Sequence, residues 1–210
     1  MGIIMLFQNN LVYASYLIWL AALLDFFDGF FARLLKAYSP MGKELDSLAD
    51  MVSFGVLPSL ILFMLIKEST TNIYLPFLAL IMAAFSALRL ANFNIDQRQS
   101  ETFIGLPTPA NAIFISSLPI IIYYQDMFFS LYLMNVWVLV FITLVFSFLL
   151  VAELPLFSLK FRNYKWSENK IRFSFLIISI LVLLFFKIIA VPIIIVLYII
   201  VSLIQNSTRK

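Results

Sequence analysis

The first long apolar segment of the chain decides the class of fold. Residues 11–31 read LVYASYLIWLAALLDFFDGFF, and the only charged residues in this segment are Asp25 and Asp28. A helix needs about 20 mostly apolar residues to cross a bilayer. The segment therefore predicts a membrane-spanning helix. Its two carboxylates lie near one end, and charge inside a membrane span is costly enough to indicate a function.

The composition of the whole chain supports an integral membrane protein. Of its 210 residues, 63% are hydrophobic and 12% are charged, whereas soluble domains have about 25% charged residues. The mean hydropathy is +1.04. A soluble fold of this length would lack the polar side chains that cover a surface in contact with water.

Further apolar segments follow along the chain, and they are continuous rather than alternating, which favours helices over strands. The sequence thus predicts an all-α, polytopic membrane protein with about seven transmembrane helices. We expect these spans near residues 11–31, 46–66, 73–92, 109–124, 134–153, 172–187 and 189–205.

The basic residues predict the orientation of these spans. If alternate loops lie on opposite sides, every Lys and Arg except Lys67 and Lys187 falls on the side where the first span ends. Loops rich in Lys and Arg stay in the cytoplasm. We therefore expect Asp25 and Asp28 to lie at the cytoplasmic end of their helix.

A second pair of carboxylates begins the next span. Asp46 and Asp50 follow the turn sequence of residues 38–42. Asp25 and Asp28 are three residues apart, and the second pair is four residues apart, so each pair lies on one helix face. A short helix–turn–helix would therefore bring four carboxylates together.

Such a cluster predicts a site for hard metal ions. Neighbouring carboxylates repel one another, and oxygen ligands alone favour Mg²⁺, Mn²⁺ or Ca²⁺. The chain has no Cys and no His, which excludes thiolate and imidazole chemistry. Its net charge of +3 gives no nucleic-acid footprint. We expect a metal-dependent site for a phosphate-bearing substrate.

The full spacing around these acids resembles a family signature. It is similar to that of the CDP-alcohol phosphatidyltransferase family at every fixed position. The matching residues read Asp25-x2-Asp28-Gly29-x2-Ala32-Arg33-x8-Gly42-x3-Asp46-x3-Asp50.

Further stretches resemble the bacterial phosphatidylserine synthase branch of that family. They are residues 46–56 (DSLADMVSFGV), 89–94 (RLANFN), 103–110 (FIGLPTPA) and 155–161 (PLFSLKF). One departure is Asn92, because the branch usually has a second Arg at that position.

The resemblance implies transfer of a phosphatidyl group from CDP-diacylglycerol to L-serine, with release of CMP. Asp25, Asp28, Asp46 and Asp50 would then hold two divalent ions, Mg²⁺ or Mn²⁺. Asp50 would also accept the proton of the serine hydroxyl. The same resemblance implies a CDP pocket shaped by Gly29, Ala32, Arg33 and Gly42.

Two residues are candidates for binding serine. Arg89 lies on the cytoplasmic side of its span, and Arg binds carboxylates in a bidentate fashion. Asn94 could bind the amine or the carboxylate. A simpler alternative is that Arg89 and Arg33 only anchor the spans on the positive side, and that Gly29 and Ala32 only permit helix packing.

The family resemblance also implies the setting of the enzyme. We expect one membrane domain over residues 1–210, with the catalytic motif at 25–50 and a C-terminal helix pair at 172–205. The resemblance implies a homodimer in the bacterial inner membrane, in contact with membrane lipid, with its active site facing the cytoplasm and no nucleic-acid partner.

Residues 3–7 look like the last turns of a helix whose beginning is missing. Members of the family usually carry a complete helix there, which helps to form the nucleotide pocket. If the 210 residues are the whole protein, we expect reduced or absent activity compared with a form extended upstream.

Two other functions remain open from the sequence alone. A relative that uses glycerol 3-phosphate or an inositol phosphate would need several basic residues near the site, and beyond the motif the chain offers mainly Arg89 and Arg98. A cation transporter could use the acidic cluster as its ion site, although such sites usually lie near the bilayer midplane.

Overall fold

A computed structural model describes residues 1–36, 39–96, 103–124, 127–157 and 166–207. Several residues used in the sequence predictions lie outside these ranges. They are Tyr38, Arg98, Lys160, Arg162, Lys165, Arg209 and Lys210.

The described residues are almost entirely helical, which confirms the all-α prediction. The helices are α1 (Gly2–Phe7), α2 (Leu11–Leu34), α3 (Pro40–Asp50), α4 (Leu57–Ser69), α5 (Leu80–Ile95), α6 (Thr108–Tyr124), α7 (Met127–Leu133), α8 (Val136–Val151), α9 (Trp166–Phe186) and α10 (Ala190–Ser207).

Short irregular segments join some of these helices. A π-helical segment, Met51–Val56, connects α3 to α4 without a break, and a 3₁₀ helix, Leu75–Ala79, leads into α5. A second 3₁₀ helix, Lys187–Ile189, separates α9 from α10. Two short strands, β1 (Phe103–Ile104) and β2 (Pro155–Leu156), pair in antiparallel orientation.

Each predicted span coincides with a helical segment. By length and composition, the segments long enough to cross a membrane are Leu11–Leu34, Pro40–Ser69, Leu75–Ile95 and Asn169–Asn206, and α6 and α8 are shorter apolar helices. The segment Asn169–Asn206 contains both α9 and α10. The rings of Phe175 and Tyr198 lie 5.9 Å apart, so α9 and α10 pack against each other.

The second span begins earlier than the sequence predicts. We expected it near residue 46, but α3 starts at Pro40 and the helix continues through the π-helical segment to Ser69. Ser39 caps α3, because its hydroxyl oxygen accepts a hydrogen bond from the Gly42 backbone N–H at 3.0 Å. A polar cap followed by Pro at the first helical position is a strong helix start.

The core lies where α4 meets α2, α6 and α8. Ile61, Leu62 and Ile66 of α4 are completely buried. Small residues let α6 approach α2 closely, as is common between helices in membranes. The indole Nε1 of Trp19 donates a hydrogen bond to the Ser116 hydroxyl across this contact, at 2.8 Å.

The two ends of the bundle differ in chemistry. At the end where α2 begins, α4 and α6 finish, and a cavity of about 650 Å³ is lined by residues that include Tyr16, Glu68 and Tyr124. At the other end the start of α3 meets the end of α5, where Lys43 Nζ donates to the Asn94 carbonyl oxygen at 3.2 Å. The acidic residues of the motif lie at this second end.

A short strap, formed by the β1–β2 pair and Gly105, ties the α5–α6 connection to the end of α8. The Gly105 N–H donates to the Leu154 carbonyl at 2.9 Å, and the Leu106 N–H donates to the Leu149 carbonyl at 2.8 Å. Gly105 has a φ of +77°, and a Cβ atom there would lie 2.6 Å from the Leu150 carbonyl oxygen. Only glycine suits this conformation and this close approach.

We therefore predict that Gly105→Ala destabilises the protein. The left-handed backbone alone costs about 1–3 kcal/mol in a non-glycine residue, and the overlap with Leu150 adds to that cost. Thermal unfolding in detergent, followed by tryptophan fluorescence, should show a lower Tm. Gly29→Ala is the matched control, since its Cβ would meet open space beside Arg33. Equal Tm values for Gly105→Ala and the unmodified protein would contradict the prediction.

Candidate active site

The helical hairpin of α2 and α3 positions the acidic residues. Asp25 and Asp28 lie on the last turns of α2, which continues to Leu34. Asp46 and Asp50 lie on α3, and Asp50 is its last residue before the π-helical segment. Asp25 and Asp28 of α2 lie close to Asp46 of α3.

The structure brings the four carboxylates together. One oxygen atom each from Asp25, Asp28 and Asp46 lies within 4.8 Å of the other two. The carboxyl groups of Asp25 and Asp50 are within hydrogen-bonding distance of each other, and Asp46 also lies close enough to Asp50 to repel it. The predicted convergence is confirmed.

This arrangement fits a divalent metal ion. Mg²⁺ binds oxygen at 2.0–2.1 Å and Ca²⁺ at 2.3–2.6 Å, so opposite ligands of one ion are roughly 4–5 Å apart. The three oxygen atoms of Asp25, Asp28 and Asp46 match that span. The ligand set contains only carboxylates, which is the chemistry that Mg²⁺, Mn²⁺ and Ca²⁺ prefer.

A cavity of about 540 Å³ opens beside the cluster, between α2 and α3. All four residues predicted to shape a CDP pocket line it, together with two of the carboxylates. These lining residues include Asp28, Gly29, Ala32, Arg33, Gly42 and Asp46.

Gly29 leaves room in this cavity rather than admitting a neighbouring helix. A Cβ atom at Gly29 would have only the Arg33 guanidinium within 4 Å, at 3.8 Å. Arg33 folds back along α2, and its Nε donates to the Gly29 carbonyl oxygen at 3.1 Å. No helix of the described part of the chain packs against Gly29, so the space beside it is open to a ligand.

The structure adds Lys43 and Ser39 to the wall of this cavity. Neither was predicted as a site residue. Lys43 directly follows Gly42, so a sequence signal existed: a cation adjacent to a motif glycine. Together with Arg33 it gives the cavity two cationic side chains beside the carboxylates of Asp28 and Asp46.

The π-helical segment after Asp50 was also not predicted. Such segments are rare and often occur at functional sites. Here α5 packs closely against the segment at Gly55, where a Cβ atom would lie 3.0 Å from the Cβ of Ser86. The isolated Gly55 in an apolar run was the only sequence signal for this close approach.

Arg89 lies next to the acidic cluster but is buried. Only 7% of its surface is exposed, its guanidinium lies close enough to Asp50 to interact electrostatically, and its Nη1 donates to the Thr108 hydroxyl at 3.4 Å. A simple interfacial anchor would be exposed, so the burial favours a specific role for Arg89.

The structure separates Arg89 from Asn94. Arg89 and Asn92 line a second cavity, of about 410 Å³, between the end of α5 and the end of α8. The Asn94 side-chain amide instead donates to the Ser47 hydroxyl of α3 at 3.0 Å. Asn94 therefore contacts the helix that carries Asp46 and Asp50.

The chain matches a known protein family. The family model described as CDP-alcohol phosphatidyltransferase matches residues 1–149. This range is well over half of the chain, and it contains the hairpin, the four carboxylates and Arg89.

Several proteins named CDP-diacylglycerol–serine O-phosphatidyltransferase are similar to the chain. The protein from Bacillus subtilis (strain 168) is 44% identical over 108 residues, which cover 50% of this chain and 58% of that protein. The Mycobacterium bovis protein is 36% identical over 151 residues, covering 68% and 51%. The Methanocaldococcus jannaschii protein is 40% identical over 99 residues, covering 47% and 46%.

The chain thus spans about half the length of the curated relatives that it matches. The matched family model and the hairpin of converging carboxylates lead to the same assignment. The chain belongs to the CDP-alcohol phosphatidyltransferase family.

Proposed function

We propose that this protein transfers a phosphatidyl group from CDP-diacylglycerol to the hydroxyl group of L-serine, with release of CMP. The observation that carries the proposal is the cluster of four carboxylates beside a cavity of nucleotide size. The choice of serine is supported by the names of the similar proteins, which are called CDP-diacylglycerol–serine O-phosphatidyltransferases.

The cavity between α2 and α3 is suited to the CDP group. Its volume of about 540 Å³ lies within the roughly 300–1,000 Å³ typical of small-molecule sites. Gly29 and Ala32 leave space on the α2 side of the cavity because their side chains are absent or small. Gly42 leaves space in the same way where α3 begins. Arg33 and Lys43 supply positive charge for phosphate oxygens.

Asp25, Asp28, Asp46 and Asp50 would hold the divalent ions, which we propose are two Mg²⁺ or Mn²⁺ ions. Such ions, when bound, neutralise the diphosphate and the charge that develops on departing CMP. By holding the ions at the helix ends, the carboxylates would place the diphosphate there. The acyl chains of the substrate can therefore stay among the lipids while its head group reacts.

We assign Asp50 the role of general base. The serine hydroxyl oxygen forms a bond to the phosphorus that carries diacylglycerol, and its proton passes to the Asp50 carboxylate. The bond from that phosphorus to the bridging oxygen breaks, and CMP leaves with this oxygen and the electron pair. Asp50 is suited to this role because it borders both the acidic cluster and Arg89.

Arg89 is our candidate for binding the serine carboxylate, with Asn94 as the second residue predicted from the sequence. Arg89 lies near Asp50, so a serine bound there would have its hydroxyl close to the base. We further propose a homodimer in the bacterial inner membrane, surrounded by lipid, with the acidic cluster facing the cytoplasm. The basic residues Arg33, Lys36 and Lys43 beside the cluster support that orientation.

The acceptor can be identified by measuring CMP release from radiolabelled CDP-diacylglycerol in detergent–lipid micelles. We expect release with L-serine to exceed release with glycerol 3-phosphate or inositol phosphate by at least roughly tenfold, because a polar site rejects acceptors that leave its groups unpaired. Micelles without an acceptor give the background. Faster release with a phosphorylated acceptor would reject serine, and cation flux into vesicles without CMP release would indicate a transporter.

Replacing Asp50 with Asn tests its role as base. The amide cannot accept the hydroxyl proton, and general-base catalysis contributes roughly 10²–10⁴-fold, so kcat should fall by that order. Glu44→Gln is the matched control, since Glu44 is an exposed carboxylate on the same helix and its loss should leave kcat within about twofold. Similar kcat values for the two variants would rule out the proposed role.

Metal dependence can be tested by chelation. We expect EDTA to reduce CMP release to background, because the four carboxylates then repel one another and the diphosphate, and Mn²⁺ or Mg²⁺ should restore it. Titration with Mn²⁺ followed by electron paramagnetic resonance should show two ions per chain. Full turnover in the presence of EDTA would contradict the prediction.

A further inference from the structure

The cavity between α5 and α8 has a charge pattern that the cavity between α2 and α3 lacks. Its volume is about 410 Å³, and Arg89, Asn92 and Asp96 line one side of it. Glu153, just beyond the end of α8, lines the other side. The cavity therefore combines one buried cation with two carboxylates.

Arg89 has hydrogen-bonding capacity that the described part of the protein does not use. Its Nε is buried without a hydrogen-bond partner, and its Nη1 makes only the 3.4 Å contact with Thr108. Leaving a buried charged donor unpaired is costly. A ligand carboxylate in the cavity would satisfy the guanidinium through two parallel hydrogen bonds.

The two carboxylates lie nearer the surface than Arg89. Glu153 is exposed and Asp96 is partly buried, whereas Arg89 is 7% exposed. The strap fixes the backbone next to Glu153, because the Gly105 N–H donates to the Leu154 carbonyl. Asp96 and Glu153 each interact with other groups of the protein as well.

We infer that this cavity binds a zwitterionic amino acid, with its carboxylate on Arg89 and its ammonium group at Glu153 and Asp96. The inference rests on the proposed function and adds the residues that select the acceptor. The buried cation and the two carboxylates of this cavity can pair with the two opposite charges of an amino acid. A phosphorylated alcohol would place its phosphate on Arg89 but has no cationic group to pair with Glu153 and Asp96, so these two carboxylates favour an amino acid.

The inference also explains why a hydroxyl-bearing amino acid would react. Arg89 lies close enough to Asp50 for electrostatic interaction, so a carboxylate held by Arg89 brings the remaining end of the ligand towards the base. Glu153 lies beyond residues 1–149, the range matched by the family model. Of the two residues that bind the ammonium group, Glu153 therefore lies outside the range that the family model matches and Asp96 lies inside it.

The test compares L-serine with 3-hydroxypropionate, which is serine without its ammonium group. Glu153→Gln and Asp96→Asn are made singly and together, and kcat and KM are measured for both acceptors and for CDP-diacylglycerol. In the double variant we expect the serine KM to rise by roughly tenfold or more, since hydrogen bonds to charged groups are strong. The preference for serine over 3-hydroxypropionate, as a ratio of kcat/KM, should fall by a similar factor.

Glu68→Gln is the matched control, because Glu68 is an exposed carboxylate at the opposite end of the bundle. It should leave both the serine KM and the acceptor preference within about twofold, as is usual for surface substitutions. The KM for CDP-diacylglycerol should likewise stay within about twofold in every variant, because the CDP cavity lies elsewhere.

Failure of this inference and failure of the proposed function give different results. If the unmodified protein uses serine but the double variant keeps its preference for serine over 3-hydroxypropionate, only this inference is overturned. That ratio is measured within each variant, so it remains decisive even if the variant is less stable. If the unmodified protein releases no CMP with serine, both are overturned.

Discussion

Repulsion among the carboxylates of α2 and α3 is the constraint on which the rest of the structure depends. The hairpin holds oxygen atoms of Asp25, Asp28 and Asp46 within 4.8 Å of one another, an arrangement that is costly without cations. Burial of Ile61, Leu62 and their neighbours in the membrane-spanning core offsets this repulsion, because it fixes the helices in place. The acidic residues lie at the helix ends, where water, ions and a phosphate-bearing head group can reach them.

Much of the fold followed from local sequence patterns. The apolar runs predicted each span, because a helix that crosses a membrane needs little information beyond its length and hydropathy. The convergence of Asp25 and Asp28 with Asp46 and Asp50 was also predictable, since residues three or four apart share a helix face and a short turn joins the two helices. The resemblance to the family, rather than the hairpin geometry, predicted Gly29, Ala32, Arg33 and Gly42, which line the cavity beside these acids.

Features that depend on long-range packing were not predictable. The π-helical segment Met51–Val56 forms where α5 packs against it, and nothing local in the sequence favours that geometry over an α-helix. Arg89 and Asn94 are five residues apart, and only the structure shows that one faces a cavity while the other contacts Ser47. Glu153 is distant from the motif in sequence and joins the cavity only through the packing of α5 against α8.

The cavity tied together by the strap at Gly105 and the hairpin of α2 and α3 are two separate parts of the molecule. The acidic residues and the cavity beside them belong to one continuous stretch of the chain, the hairpin of α2 and α3. The rim of the cavity between α5 and α8 is formed by the end of α5 and the residues after α8. A few backbone hydrogen bonds join the residues after α8 to the α5–α6 connection. Exchanging side chains on this rim leaves the hairpin of α2 and α3 untouched, so under the proposed function evolution or engineering could alter which alcohol is used while keeping the same activated lipid.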